Sequence, residues 1–140
     1  MYTRDYVLRL IERFGRALIA LRNRILGRAV EAADVRAELE DLAQQAGLDL
    51  DVARQLDAGM LIMWLAPTGE VDPPRFWLLA ELLYLTGLQA HQSGAGDRGR
   101  GDLGRAQALF ARLPGESTPS PDFATAQQRS EEIAQLLRDR

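Results

Sequence analysis

A chain of 140 residues, 46% of them hydrophobic, is long enough for one domain with a core of its own. It has no cysteine and one histidine, His91, which excludes disulfides, thiolate zinc sites, thiol nucleophiles and any cluster of histidine ligands within one chain. The formal net charge of −3 argues against a nucleic-acid partner, because such proteins usually carry a positive balance.

The charge is unevenly spread. Residues 1–28 hold seven arginines against Asp5 and Glu12, a net of +5, whereas residues 29–72 hold ten acids against Arg36 and Arg54, a net of −8. Ala, Leu, Glu, Gln and Arg dominate, and all are good helix formers. The expected fold is therefore all-α, a helical array of about five to six helices. The apolar stretches Met60–Ala66 and Phe76–Ala80 are too short to span a bilayer, and arginines interrupt the N-terminal apolar pattern, unlike a signal peptide. The expected location is the cytoplasm.

The first predicted helix runs from about Arg4 to Leu26, with Thr3 as its cap and Gly27 as its stop. Val7, Ile11, Phe14, Leu18, Leu21 and Ile25 recur at alternating steps of four and three, which makes a helical seam. Arg9, Arg13, Arg16 and Arg24 fall on the opposite face. A second helix covers about Ala33–Ala46, with Glu38, Glu40 and Asp41 on its outer surface. A third is expected over about Leu50–Leu65, capped by Asp49 or Asp51. Its end, Met60 to Leu65, is apolar on all sides and is expected to be buried. Asp72-Pro73 reads as a cap followed by proline at the first helical position, opening a fourth helix to about Gln92. Apolar residues surround that helix, so it should be central. Gly94, Gly96, Gly99 and Gly101 read as a loop, followed by a helix over about Asp102–Leu113. A polar linker then leads to a last helix over about Pro121–Arg138. In domain terms, 1–113 is one helical domain, 114–122 a linker, and 123–140 a loosely attached helix.

Three stretches, Met1 to Ile11, Gly47-Leu48-Asp49-Leu50 and Leu79-Ala80-Glu81-Leu82-Leu83, together resemble an uncharacterised bacterial domain-of-unknown-function family of small helical proteins. The resemblance covers roughly residues 1–113. It implies an architecture and no chemistry. Thr86-Gly87-Leu88 and Gly101 to Phe110 are similar to the two helices of a tetratricopeptide hairpin, with Ala106 and Phe110 at packing positions. One such unit is visible, and solenoids generally need three or more. The resemblance therefore implies a packing motif more than a concave peptide-binding surface.

Several residues invite a functional reading. Gly94-Ala95-Gly96-Asp97-Arg98-Gly99 matches G-x-G-x-x-G, but the phosphate-binding version needs a preceding strand, and here a helix precedes; a flexible loop is the better reading. Arg98 and Arg100, just ahead of a helix, are possible anion contacts, set against a solvated loop. His91, Ser93 and Asp97 are triad residue types without a nucleophile elbow, and read as surface polar residues. Glu81 sits among Trp77, Leu79, Leu82, Leu83 and Leu85 and must find a partner, reach water or shift its pKa upward. A structural ion pair to an arginine of the first helix is the preferred expectation.

No metal, cofactor or catalytic residue is expected. The leading functional expectation is a non-enzymatic interaction module using the seam Val7, Ile11, Phe14, Leu18, Leu21 and Ile25. That seam packs either on the central helix or on a second copy, as a homodimer. The runner-up is a peripheral anionic-membrane or anionic-ligand module using Arg9, Arg13, Arg16 and Arg24. An enzyme built around Glu81 comes third.

Overall fold

In a computed structural model that describes residues 4–29 and 31–139, the described residues adopt the expected all-α fold and contain no strand. Seven helices follow in order among them: α1 (Arg4–Leu26), α2 (Ala32–Gln45), α3 (Leu50–Ala53), α4 (Ala58–Leu65), α5 (Pro73–Gln92), α6 (Gly96–Phe110) and α7 (Ala126–Arg138). The expected Thr3 cap lies outside the described residues.

Helix α5 is the centre because its sequence has almost no polar side. Phe76, Leu79, Leu82, Leu83, Tyr84 and Leu85 are all fully buried, and α1, α2, α6 and α7 pack around it. Helix α1 lays its apolar stripe on α5, burying Val7, Leu10, Ile11, Leu18, Leu21 and Ile25. Of the two packing alternatives for that seam, the central helix is its partner within this chain.

The expected glycine-rich loop is mostly helix. Gly94, at φ +85°, makes the turn after α5, a conformation that suits a residue without Cβ. Gly96 to Gly101 already belong to α6. The reason is close packing of α6 on α5. A Cβ on Gly99 would stand 2.9 Å from the Gly87 carbonyl oxygen, and one on Gly87 would stand 2.7 Å from Leu103 Cγ. The glycines let the two backbones approach, and the contact stabilises a helix that propensity alone disfavours.

The expected helix over Leu50–Leu65 is two helices. Asp49 caps α3 by accepting from Val52 N at 3.1 Å, and Asp57 caps α4 by accepting from Met60 N at 2.8 Å. The break between them turns toward α6. Arg54 donates from Nε and Nη2 to the two oxygens of buried Asp102, at 3.2 and 3.0 Å, and Arg105 Nε donates to the Leu56 carbonyl at 2.6 Å. The expected burial of the end of this segment does not occur all round. Leu61 and Leu65 are buried, but Met60, Met63 and Trp64 face outward.

Helix α7 starts at Ala126, later than the sequence pattern placed it, because Thr125 and Gln128 form a reciprocal capping box. The segment before it is packed against the rest of the molecule. Phe123 is buried with its ring centroid 4.8 Å from that of Trp77, and Gln127 N donates to the Gly115 carbonyl at 2.8 Å. Ala126, Arg129 and Ile133 are buried too, so α7 contributes to the common core where loose attachment was expected.

Candidate functional site

Five of the six seam residues, Val7, Ile11, Leu18, Leu21 and Ile25, are buried in the chain's own core, and Phe14 is partly buried against it. The seam as an interaction surface is therefore corrected: its side chains already fill the space between α1 and α5. The opposite face of α1 keeps Arg9, Arg13 and Arg16 exposed, with the Arg13 guanidinium 5.8 Å from the Phe14 ring centroid. Arg24 departs from that set because Glu38 of α2 accepts both of its Nη2 contacts, at 2.9 and 3.0 Å.

Arg98 is exposed beside a narrow cleft of about 90 Å³ that Arg36, Gln89 and Ser93 also line. Arg100 instead donates to the Leu137 carbonyl in the last turn of α7, where a cation complements the helix dipole. Of the triad residue types, His91 and Asp97 line a common cleft whose lining does not include Ser93. Ser93 Oγ donates to the Ala90 carbonyl at 3.2 Å, and Asp97 sits exposed in the first turn of α6.

Glu81 is 2% exposed and fully engaged. Arg129 donates to it twice, from Nε at 2.9 Å and from Nη2 at 2.8 Å, a bidentate pair. The expected partner was an arginine of the first helix; the actual one comes from α7. Arg129, 5% exposed, also donates from Nη1 to Glu132 at 3.0 Å and lies 4.3 Å over the Tyr84 ring. The first helix joins one step further out. Arg22 donates from Nε to Tyr84 Oη at 2.8 Å and from Nη2 to both Glu132 oxygens, at 3.1 and 3.2 Å. Tyr84 in turn donates to Glu132.

Two guanidinium groups and two carboxylates make this cluster neutral overall. Burial pushes the Glu81 carboxyl upward, against the pull of Arg129's charge and hydrogen bonds. Burial also raises the Tyr84 phenol. For Glu132, burial acts against the charged form. The Tyr84 hydrogen bond and the charges of Arg129 and Arg22 outweigh it and hold this carboxyl below its ordinary 4.5. The cluster lines one side of a 310 Å³ cleft shared with Leu18, Asn23, Phe123 and Gln128. Its carboxylate oxygens are taken up by arginines that stay protonated, so the chemistry it supports is that of a clasp between α1, α5 and α7. The sequence did hold a signal for it. Arg129 lies in helical register with Ala126 and Ile133, an arginine on an apolar stripe.

The other feature is apolar and exposed. Met60 is 55% exposed, Met63 72% and Trp64 38%, at positions i, i+3 and i+4 of α4. That spacing places them together on one helix face, away from buried Leu61 and Leu65. Exposed Val52 stands on the preceding helix α3.

Among the described residues no group of His, Cys, Asp or Glu could hold a metal ion, and no helix is long and apolar enough to cross a membrane. The chain matches no family model, no curated protein and no solved structure.

Proposed function

We propose that this chain is a non-enzymatic helical interaction module of the cytoplasm that offers the Met60–Met63–Trp64 face of α4 to a protein partner. One observation carries the reading. Of the five large apolar side chains exposed among the described residues, four lie between Val52 and Trp64. Singly exposed apolar residues are ordinary, whereas a cluster marks a contact surface. Methionine adapts its shape to a partner and tryptophan is a frequent anchor in protein interfaces. The tetratricopeptide-like resemblance of α5 and α6 belongs to this reading as a packing motif, supported by their close approach at Gly87. The test is photo-crosslinking in the native cell, with benzoylphenylalanine at position 63 and, as a control, at exposed position 36. A discrete protein adduct from position 63 alone is expected. The same adducts from both positions, or none from 63, would overturn the reading.

A second reading, contact with an anionic surface, is favoured by the exposed row of Arg9, Arg13 and Arg16, with Arg24 removed from the original set by its bond to Glu38. It expects flotation with anionic vesicles that weakens as salt rises. Equal recovery with neutral vesicles would reject it.

A further inference from the structure

The apolar face of α4 does not stand in neutral surroundings. Asp57 caps the helix one residue before it begins, Asp51 is exposed beside Val52 on α3, and Glu70 is exposed just past the turn that follows α4. A helix of eight residues is only about 12 Å long, so Asp57 at its N-terminus lies within about a Debye length of the methionines, and residues 49–72 as a whole hold five acids against one arginine. The single arginine of this stretch, Arg54, is turned away and bound to Asp102. The face is thus an apolar patch carried on an acidic segment, with Asp57 at its rim.

That rim sorts the occupants. A second copy meeting the same face about a two-fold axis would set acid against acid. An anionic lipid surface would meet the same repulsion. A basic amphipathic helix matches both parts: its apolar residues at i, i+3, i+4 and i+7 meet Met60, Met63 and Trp64, and flanking lysines or arginines meet the rim. We infer that the α4 face docks a basic amphipathic helix of a partner protein. The inference rests on the reading of α4 as the interaction face and adds the partner's chemistry.

The experiment uses the whole chain and two helical peptides of about four turns. Both carry leucine at i, i+3, i+4 and i+7; one has lysine and the other glutamate at the remaining positions. Trp64 is the reporter, because Trp77 is already buried and only Trp64 can lose water on binding. The lysine peptide should give a saturable blue shift and bind about tenfold or more tighter than the glutamate peptide. Higher salt should weaken it. Met60→Ala with Met63→Ala should weaken it about tenfold, and Asp51→Asn with Glu70→Gln about threefold, with circular dichroism unchanged in both variants. Asp57 is left intact because it caps α4.

The possible failures are distinct. If both peptides bind equally and the methionine variant loses both, the face stands and the basic partner is wrong. If the methionine variant binds the lysine peptide as well as the parent, or neither peptide binds, the face itself is wrong. A blue shift that grows with protein concentration alone would assign the face to a second copy and overturn the inference.

Discussion

Arg28 ends α1 at a cost. Its φ of +56° lies in the left-handed region, where a Cβ crowds the backbone. Gly27, the residue the sequence offers as a stop, sits one position too early to take that role. Arg28→Gly should therefore stabilise the protein by about 1 kcal/mol, seen as a rise in Tm of about 3–5 °C. An unchanged or lower Tm would mean that the Arg28 hydrogen bond to Gln92 outweighs the backbone term. Glu132 gives a second test, in pH. Its carboxyl is depressed when folded, so its contribution is present above the ordinary 4.5 and is lost as pH falls through the folded value. Glu132→Gln should be less stable than the parent near neutral pH in urea titrations. The gap should close as pH drops below that range. A constant gap from neutral to acid pH would show that ionisation of Glu132 contributes nothing.

At the scale of elements, glycine was the misleading letter. The same residue serves a loop, a left-handed turn and a close helix crossing, and only the neighbour across the interface decides which. In α6 the distinction can be measured. Gly99→Ala would press a Cβ to 2.9 Å from the Gly87 carbonyl oxygen, a backbone atom that cannot step aside. The overpacking cost of about 1–3 kcal/mol should exceed the helix-propensity gain of about 1. Gly104→Ala in the same helix meets nothing within 4 Å and should stabilise by up to about 1 kcal/mol. Opposite signs in denaturant midpoints support a packing role for the crossing, and equal signs refute it. Long periodic helices were legible. The stripes of α1 and α5 have the bounds that their spacing and flanking Pro and Gly imply. The break before α4 was not, because it depends on Arg54 reaching Asp102 of α6 and on Arg105 of α6 reaching back to the Leu56 carbonyl, contacts between segments about fifty residues apart. The exposed face of α4 was hidden for a related reason. A helix apolar all round reads as buried, and only the packing shows which side has no cover.

Across the whole molecule, the polar clasp joins the two ends of the chain. Arg22 and Glu132 are 110 residues apart, and Glu81 lies between them on α5. A sequence reading could flag Glu81 as a carboxylate needing a partner, but it could not choose among the arginines, since the choice is made by tertiary packing. The clasp bears on whether residues 1–113 are a folding unit. A chain ending at Leu113 would lose Arg129, leaving Glu81 unpaired, at a cost of up to about 3–5 kcal/mol, the value for a site that stays closed to water. It would also lose the burial of Phe123 and Ile133, about 1.5–3 kcal/mol each. Against a typical total stability of about 5–15 kcal/mol, these losses are enough to melt a modest domain. The prediction is that the shortened chain has no cooperative thermal transition by circular dichroism, or one lowered by tens of degrees. Glu81→Leu in the same shortened chain separates the terms. It removes the stranded charge while leaving the apolar losses, so it should recover part of the transition. In the 140-residue chain the same substitution leaves the Nε and Nη2 donors of Arg129 without their acceptor, with Nη1 still on Glu132, and should destabilise. A shortened chain that melts like the full one would make α7 an appendage and the clasp a bystander. A Glu81→Leu change that acts alike in both lengths would show that packing, and not the buried charge, holds α7 in place.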